Sequence, residues 1–196
     1  MERSLVAAYW ASRKEDANSC AMRTSNFLSA LSMISIDLTG WRQTGKTRGE
    51  ALMQHICTPE DVYGLEQLFL KGINNRAINH FLWNGRDEDH SSTLSIRCGV
   101  HSKSPLLGNA VVLSLPNVFE LDLPRNLESL MFAFAESWRP DWVAAASQNT
   151  INERGTEKPF LDKALYLKSS WTHQFAPVNV DKLDLKYGAL FYSAQP

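Results

Sequence analysis

The sequence predicts an α+β protein, a mostly antiparallel sheet of about five or six strands with helices packed on it. Three observations predict it. Helical and strand patterns come in runs rather than in strict alternation. One stretch, Thr93 to Val100, alternates cleanly between apolar and polar residues, and one long segment beginning near Ala17 carries an apolar stripe at helical spacing. Such alternation marks a sheet with one covered face, and a stripe that wide needs a sheet or another helix to lie against.

Leu5 to Trp10 is a short apolar run bounded by polar and charged residues, which reads as a buried strand. Ser12 with Glu15 three positions on makes a capping box, after which Ala17, Cys20, Ala21, Phe27, Leu28, Leu31 and Ile34 recur with helical period. Thr47 with Glu50 starts a short helix carrying Ala51, Leu52 and Ile56. Thr58-Pro59-Glu60-Asp61 starts another, with proline at its first position and Gly72 as its end. Phe81 to Trp83 reads as strand, residues 84–90 as a polar loop, and Thr93 to Val100 as a second strand with Leu94, Ile96, Cys98 and Val100 on one face.

Ser104-Pro105 and Gly108-Asn109 punctuate a turn before Ala110 to Leu115, a Val- and Leu-rich run that suits a central strand. These three strands form a meander. The helical period returns after Pro124 at Leu127, Leu130, Met131, Phe134 and Trp138, until Arg139-Pro140 stops it. Trp142 to Ala146 is a further strand, and Tyr187 to Ser193, alternating aromatic and small residues, is the closing one.

Residues 1–196 read as one domain, since 196 residues fall within the roughly 100 to 200 of a single unit. Hydrophobic residues at 44% and charged residues at 21% exclude a disordered tail or a disulfide scaffold. A formal charge of -1 argues against direct nucleic-acid binding and against an anionic membrane surface. No apolar run approaches the about 18 residues of a membrane span, and the first residues leave no room for a secretory signal, so the expected location is the cytoplasm. Cys20, Cys57 and Cys98 are odd in number and lack metal-like spacing, which fits reduced thiols.

One string satisfies the Walker A phosphate-loop pattern letter for letter, Gly40-Trp41-Arg42-Gln43-Thr44-Gly45-Lys46-Thr47. A working phosphate loop follows a buried strand and opens a helix, whereas the residues upstream here carry the last turns of a helix. Val118 to Asp122, the best candidate for a metal-holding acidic strand end, is a poor one. A nucleotide-dependent enzyme using Gly40 to Thr47 is therefore the alternative reading. The plainer reading is a polar connection with Trp41 plugging the core.

Histidines 55, 80, 90, 101 and 173 are scattered, and Cys98 and His101 would point to opposite faces of a strand, so no metal or other cofactor is expected. No Gly-x-Ser-x-Gly elbow is present, and Asp184-Leu185-Lys186 is too short a string to signify a nuclease strand. No catalytic set is complete. Of the tryptophans, Trp10, Trp83 and Trp138 fall at element ends, where large rings cap cores. Asp87, Glu88 and Asp89 form an acidic run in the loop between two strands.

The landmarks together resemble the immunity protein 52 family, antitoxins of bacterial polymorphic toxin systems. The resemblance runs from Tyr9-Trp10-x-x-Arg13-x-Glu15 through Trp41, Gly45-x-x-Arg48 and Ala51-Leu52 to Leu82-Trp83-Asn84-Gly85. It continues in Cys98-Gly99, in Asn109-x-Val111-Val112-Leu113-x-Leu115-Pro116 and in Trp138-x-Pro140-Asp141-Trp142, covering residues 5–147 and leaving the remainder unassigned. It implies a non-catalytic cytoplasmic protein that binds one cognate toxin, with a restriction-endonuclease-like nuclease domain the expected kind and contact-dependent or type VI secretion the expected delivery. A nuclease site is electropositive, so Asp87, Glu88 and Asp89 are the expected toxin-binding residues. Occlusion of the active site by these carboxylates and binding beside it, blocking DNA or toxin assembly, both fit.

Overall fold

Val6, Ala7 and Ala8 are wholly buried, and they make the first strand the axis on which the molecule is built. The computed structural model describes residues 3–74, 77–100, 108–155 and 157–192. In chain order the elements are β1 (Ser4–Trp10), α1 (Ala17–Ile34), β2 (Arg42–Gln43), α2 (Arg48–Leu52), α3 (Val62–Lys71), β3 (Ile73–Asn74), β4 (Ala77–Trp83) and β5 (Thr93–Cys98). They continue as β6 (Asn109–Ser114), α4 (Pro124–Trp138), β7 (Trp142–Ser147), α5 (Gln148–Arg154), β8 (Ala164–Lys168), α6 (Ser169–Phe175), β9 (Asp181–Leu185) and β10 (Gly188–Tyr192).

The strands form one antiparallel sheet in the order β2-β4-β5-β6-β1-β7-β8-β10-β9, with β3 pairing β4 beside this row. The α+β class and the β4-β5-β6 meander stand, but the sheet has nine strands in its row rather than five or six. The missing ones fall into two kinds. β2 and β3 are two residues each, too short to show a period, whereas β8 and β9 lie after residue 147, where strand pattern is interrupted by charge. The strand expected to close the sheet is interior: β10 lies between β8 and β9, and Tyr187 belongs to the turn that precedes it.

Period two sends alternate residues of β1 to opposite faces, and both faces are buried there. Val6, Ala8 and Trp10 join the core beneath α1, α3 and α4, where Trp10 stacks on Trp138 at 5.6 Å and Phe27 meets Phe134 at 4.6 Å. Ala7 and Tyr9 face a second, smaller core with Trp142, Leu165, Leu167 and Phe191, roofed by Phe160, Leu161, Trp171 and Phe175. Tyr9 stacks on Trp142 at 4.4 Å, and burial pushes its hydroxyl pKa up to about 12.

Two helix starts differ from expectation. The cap of α1 is Asp16, whose carboxylate accepts from Ser19 N at 2.8 Å, and not the Ser12/Glu15 box. Glu15 is instead drawn inward between the guanidinium groups of Arg13 and Arg23. Those arginines donate to the carbonyls of Trp138 and Ser137, both at 2.9 Å, and so close the end of α4, where Arg139 turns left-handed (φ +46). The Tyr9-to-Glu15 and Trp138-to-Trp142 strings are thus two halves of one structural knot. The α3 helix starts at Val62 with Asp61 as cap, and Pro59 lies in the preceding turn, where its carbonyl accepts from Ser25 Oγ at 2.7 Å. Gly72 ends it, as expected. Ile56 is past the end of α2 and pairs with Arg42. Ser104-Pro105 and His101 lie outside the described residues.

Candidate functional site

The loop joining β4 to β5 is built around one buried side chain. Asn84 donates through Nδ2 to the carbonyls of Asp37 (2.8 Å) and His90 (2.7 Å), while its Oδ1 accepts from Ser92 N (3.0 Å) and Arg86 N (3.2 Å). All four hydrogen-bonding positions of the amide are used, which fixes both ends of the loop and ties it to the chain after α1. Gly85 follows with φ +73, and a Cβ there would lie 3.1 Å from Arg42 Nε. Gly40, φ +76, passes equally close to the Asn84 carbonyl.

The three acidic residues sit on this frame in different states. Asp87 forms an ion pair with Arg48, whose guanidinium lies over the Trp83 ring at 5.9 Å. Asp89 accepts from Asn117 Nδ2 at 3.0 Å. Glu88 points outward with a positive φ of +33, and among the described residues its carboxylate has no partner. Behind them Asp37 receives Arg86 (3.3 Å) and His90 Nδ1 (3.0 Å). The run read as a solvated acidic hairpin tip is therefore a cross-linked cluster of both signs, in which Glu88 is the carboxylate left for a partner.

Beside it lies an open stretch of sheet. The faces of β4 and β5 opposite the helices carry Phe81, Trp83, Thr93, Ser95 and Arg97, with Phe81 directly across from Ser95 and Trp83 across from Thr93, up to Val112 of β6, which packs against the covered second core. Phe81 is 62% exposed, a large aromatic left open on β4 one strand in from the edge of the sheet. Leu52 and Ile56 extend this surface past β2, since Arg42 pairs with Trp83 and Ile56 and donates to the Leu52 carbonyl at 2.7 Å. Sequence reasoning missed this patch because β4 is apolar on both faces, which gives no sign of which one is covered.

The phosphate-loop string takes another form. Its approach is a 3-10 turn, Ile36–Leu38, and its only strand is β2 within the string itself. Trp41 is buried and donates to the Leu38 carbonyl at 2.8 Å, plugging the core as the plainer reading expects. The start of α2 is filled by its own acid: Glu50 accepts from Lys46 N at 2.9 Å where a phosphate would have to sit. A Cβ on Gly45 would lie 2.7 Å from Ala51 N, so the loop folds back on its helix and leaves no cradle.

Other candidates disperse. Val118 to Asp122 is turn, not strand end. Asp184 lies on β9 and pairs with Lys182 at 2.6 Å. Cys98 is a core residue facing Cys20, and contact with that thiol together with burial pushes its own pKa upward. Among the described residues no three His, Cys, Asp or Glu side chains converge as metal ligands, and no helix is long and apolar enough to cross a membrane. Trp10, Trp138 and Trp142 are core residues, while Trp83 is half-buried beside the loop.

Among solved structures, the chain is similar to the Pseudomonas aeruginosa T6SS protein PA0821, with a TM-score of 0.57 at 10% identity. The match covers 97% of this chain, which spans 64% of that one, and at such identity it shows a shared fold. None of the curated proteins matches. The family model for immunity protein 52 matches residues 2–183, extending past residue 147, where the motif resemblance stops, and taking in β8. That span takes in the strings that tie β1 to α4 and the Asn84 clamp of the β4–β5 loop, and the chain belongs to the immunity protein 52 family.

Proposed function

We propose that this protein is a stoichiometric, non-catalytic antitoxin that binds a cognate nuclease toxin through the β4–β5 loop and the sheet surface beside it. The observation that carries the reading is the union of a rigid loop bearing acidic residues with an open apolar surface, on a chain of an immunity-protein family. A nuclease site is electropositive because it holds phosphates, and Glu88, with Asp87 and Asp89 behind it, is the complementary group. Charges steer the encounter, while affinity comes from anchors in a desolvated centre. Phe81 and the Arg48–Trp83 pair are such anchors.

Because Asp87 and Asp89 already hold internal partners, the loop offers less negative charge than a nucleic-acid mimic requires. Binding beside the active site, with block of DNA entry or of toxin assembly, is therefore the form of inhibition we favour. The protein would act in the cytoplasm of the producing cell, against a toxin delivered by contact-dependent or type VI secretion.

The test is co-expression with the toxic domain encoded beside this chain, scored by survival and co-purification. Rescue with a stable complex supports the reading, and failure of both with the chain folded removes it. In that complex, Asp87→Lys with Glu88→Lys is expected to weaken binding by about 1–3 kcal/mol, with a changed dependence on salt. Affinity and salt dependence both unchanged would take the loop out of the interface.

A further inference from the structure

The two edges of the sheet are finished in opposite ways. At one end β2 is two residues long, and its outer side is occupied by Ile56 bridging to Arg42 and by Cys57 N donating to the Trp41 carbonyl at 2.6 Å. At the other end β9 pairs, among the described residues, only with β10, and four of its five residues are exposed. An unpaired edge strand is a template for another strand.

We propose that β9 is a dimer interface, at which two copies of this chain pair antiparallel about a two-fold axis through Leu183. The hydrogen-bond phase allows it. Leu185 and Gly188 close a two-residue hairpin, so their pair exchanges both backbone bonds, and in an antiparallel ladder such pairs recur at every second residue. Leu185, Leu183 and Asp181 therefore turn their amides toward β10, and Lys182 and Asp184 turn theirs outward. On a two-fold at Leu183, the outward groups of Lys182 meet those of Asp184 in the other copy, and each such pair exchanges two backbone bonds.

The side chains select the same register. Lys182 and Asp184 share a face of β9, opposite Phe191 and Ala189 of β10, and already pair within the strand. Pairing about Leu183 sets Lys182 of each copy against Asp184 of the other, giving a ring of four charges of alternating sign. Directly opposed residues of opposite charge favour a ladder. Leu183, 38% exposed in the single chain, packs on its own copy across the axis. A register centred on Asp184 instead would oppose Asp184 to itself and Lys182 to Lys186. Space is available as well. Helix α6 packs chiefly on β8 and β10, and three strand spacings of about 4.8 Å then separate the two β10 strands.

One strand pairing buries less than the roughly 1,200–2,000 Å² of a stable interface, so the association is weak and shows only at high protein concentration. Sedimentation of the 196-residue chain should move from 22.1 kDa toward twice that mass as its concentration is raised. Lys182→Asp or Asp184→Lys alone should weaken the dimer by roughly tenfold or more. The double exchange Lys182→Asp with Asp184→Lys should restore it. Circular dichroism is the control for folding, and amide exchange reports on the unmodified chain: Lys182 and Asp184, not Leu183, should gain protection with concentration. A chain that stays monomeric throughout overturns the proposal. So does a dimer indifferent to the single reversals, or a β9 edge that gains protection only when toxin is bound.

Discussion

The face of the sheet turned away from α1, α3 and α4 ends in two ways, and the difference separates stability from recognition. Over β1, β7, β8 and β10 it carries Tyr9, Trp142, Leu165, Leu167 and Phe191, and the chain after residue 157 folds back to cover them. Over β4 and β5 the same face carries Phe81, Trp83, Thr93, Ser95 and Arg97 with no such roof among the described residues, and Phe81 is exposed, while Val112 of β6 packs at the margin of the covered cluster. Equal chemistry at the two ends would have called for equal cover. Covered aromatics contribute to folding, while an uncovered one beside a fixed polar loop contributes surface for a partner.

Substitutions break this comparison in a graded way. Trp142→Ala empties the centre of the covered half, where the ring stacks on Tyr9 and meets Phe160, and is expected to cost about 3–5 kcal/mol. Thermal unfolding would read this as a fall of roughly 10 °C or more. Asn84→Ala strands four backbone groups at the boundary with the open half, and a cost of about 2–3 kcal/mol should appear in denaturant titration, with faster amide exchange across residues 84–92.

A smaller effect comes from His80, on the helix-covered face, where burial against Phe69 lowers the imidazole pKa below its ordinary 6.5. The unfolded chain takes up a proton near pH 6.5 that the folded chain resists. Stability held above that pH is therefore lost as pH falls below it. His80→Leu should flatten the decline in Tm, and a slope equal to that of the parent would show that other groups set it. Phe81→Ser sharpens the contrast most. It should alter stability by less than about 0.5 kcal/mol, yet weaken a toxin complex by roughly tenfold or more in a calorimetric titration. The reverse pattern would make the open half part of the core.

Much of the frame was legible from pattern. The stripe from Ala17 to Leu31, the alternation of Leu94, Ile96 and Cys98, and the Pro124 to Trp138 helix with its stop at Arg139-Pro140 each bury the face their period assigns. Helix starts were read less well where two acceptors competed, because Glu15 turns to Arg13 and Arg23, which are anchored on the end of α4, and leaves Asp16 to cap α1. The acidic run was legible as residues and not as charge, since Arg48 and Asn117 are remote in sequence from Asp87 and Asp89. The open patch left no trace in the sequence, since apolar residues on both faces of β4 look the same whether or not a roof exists.

The sequence by itself determined the class of the fold, the meander, the two long helices and, through its motifs, the family. Periodicity and caps are local, and each reports on itself within a few turns of chain. Tertiary structure decided the rest: which strand sits at the edge, which half of the outer face is roofed, and which carboxylate of the loop stays unpaired. Each of these depends on pairs of residues far apart along the chain, and no local pattern encodes where the chain returns to meet itself.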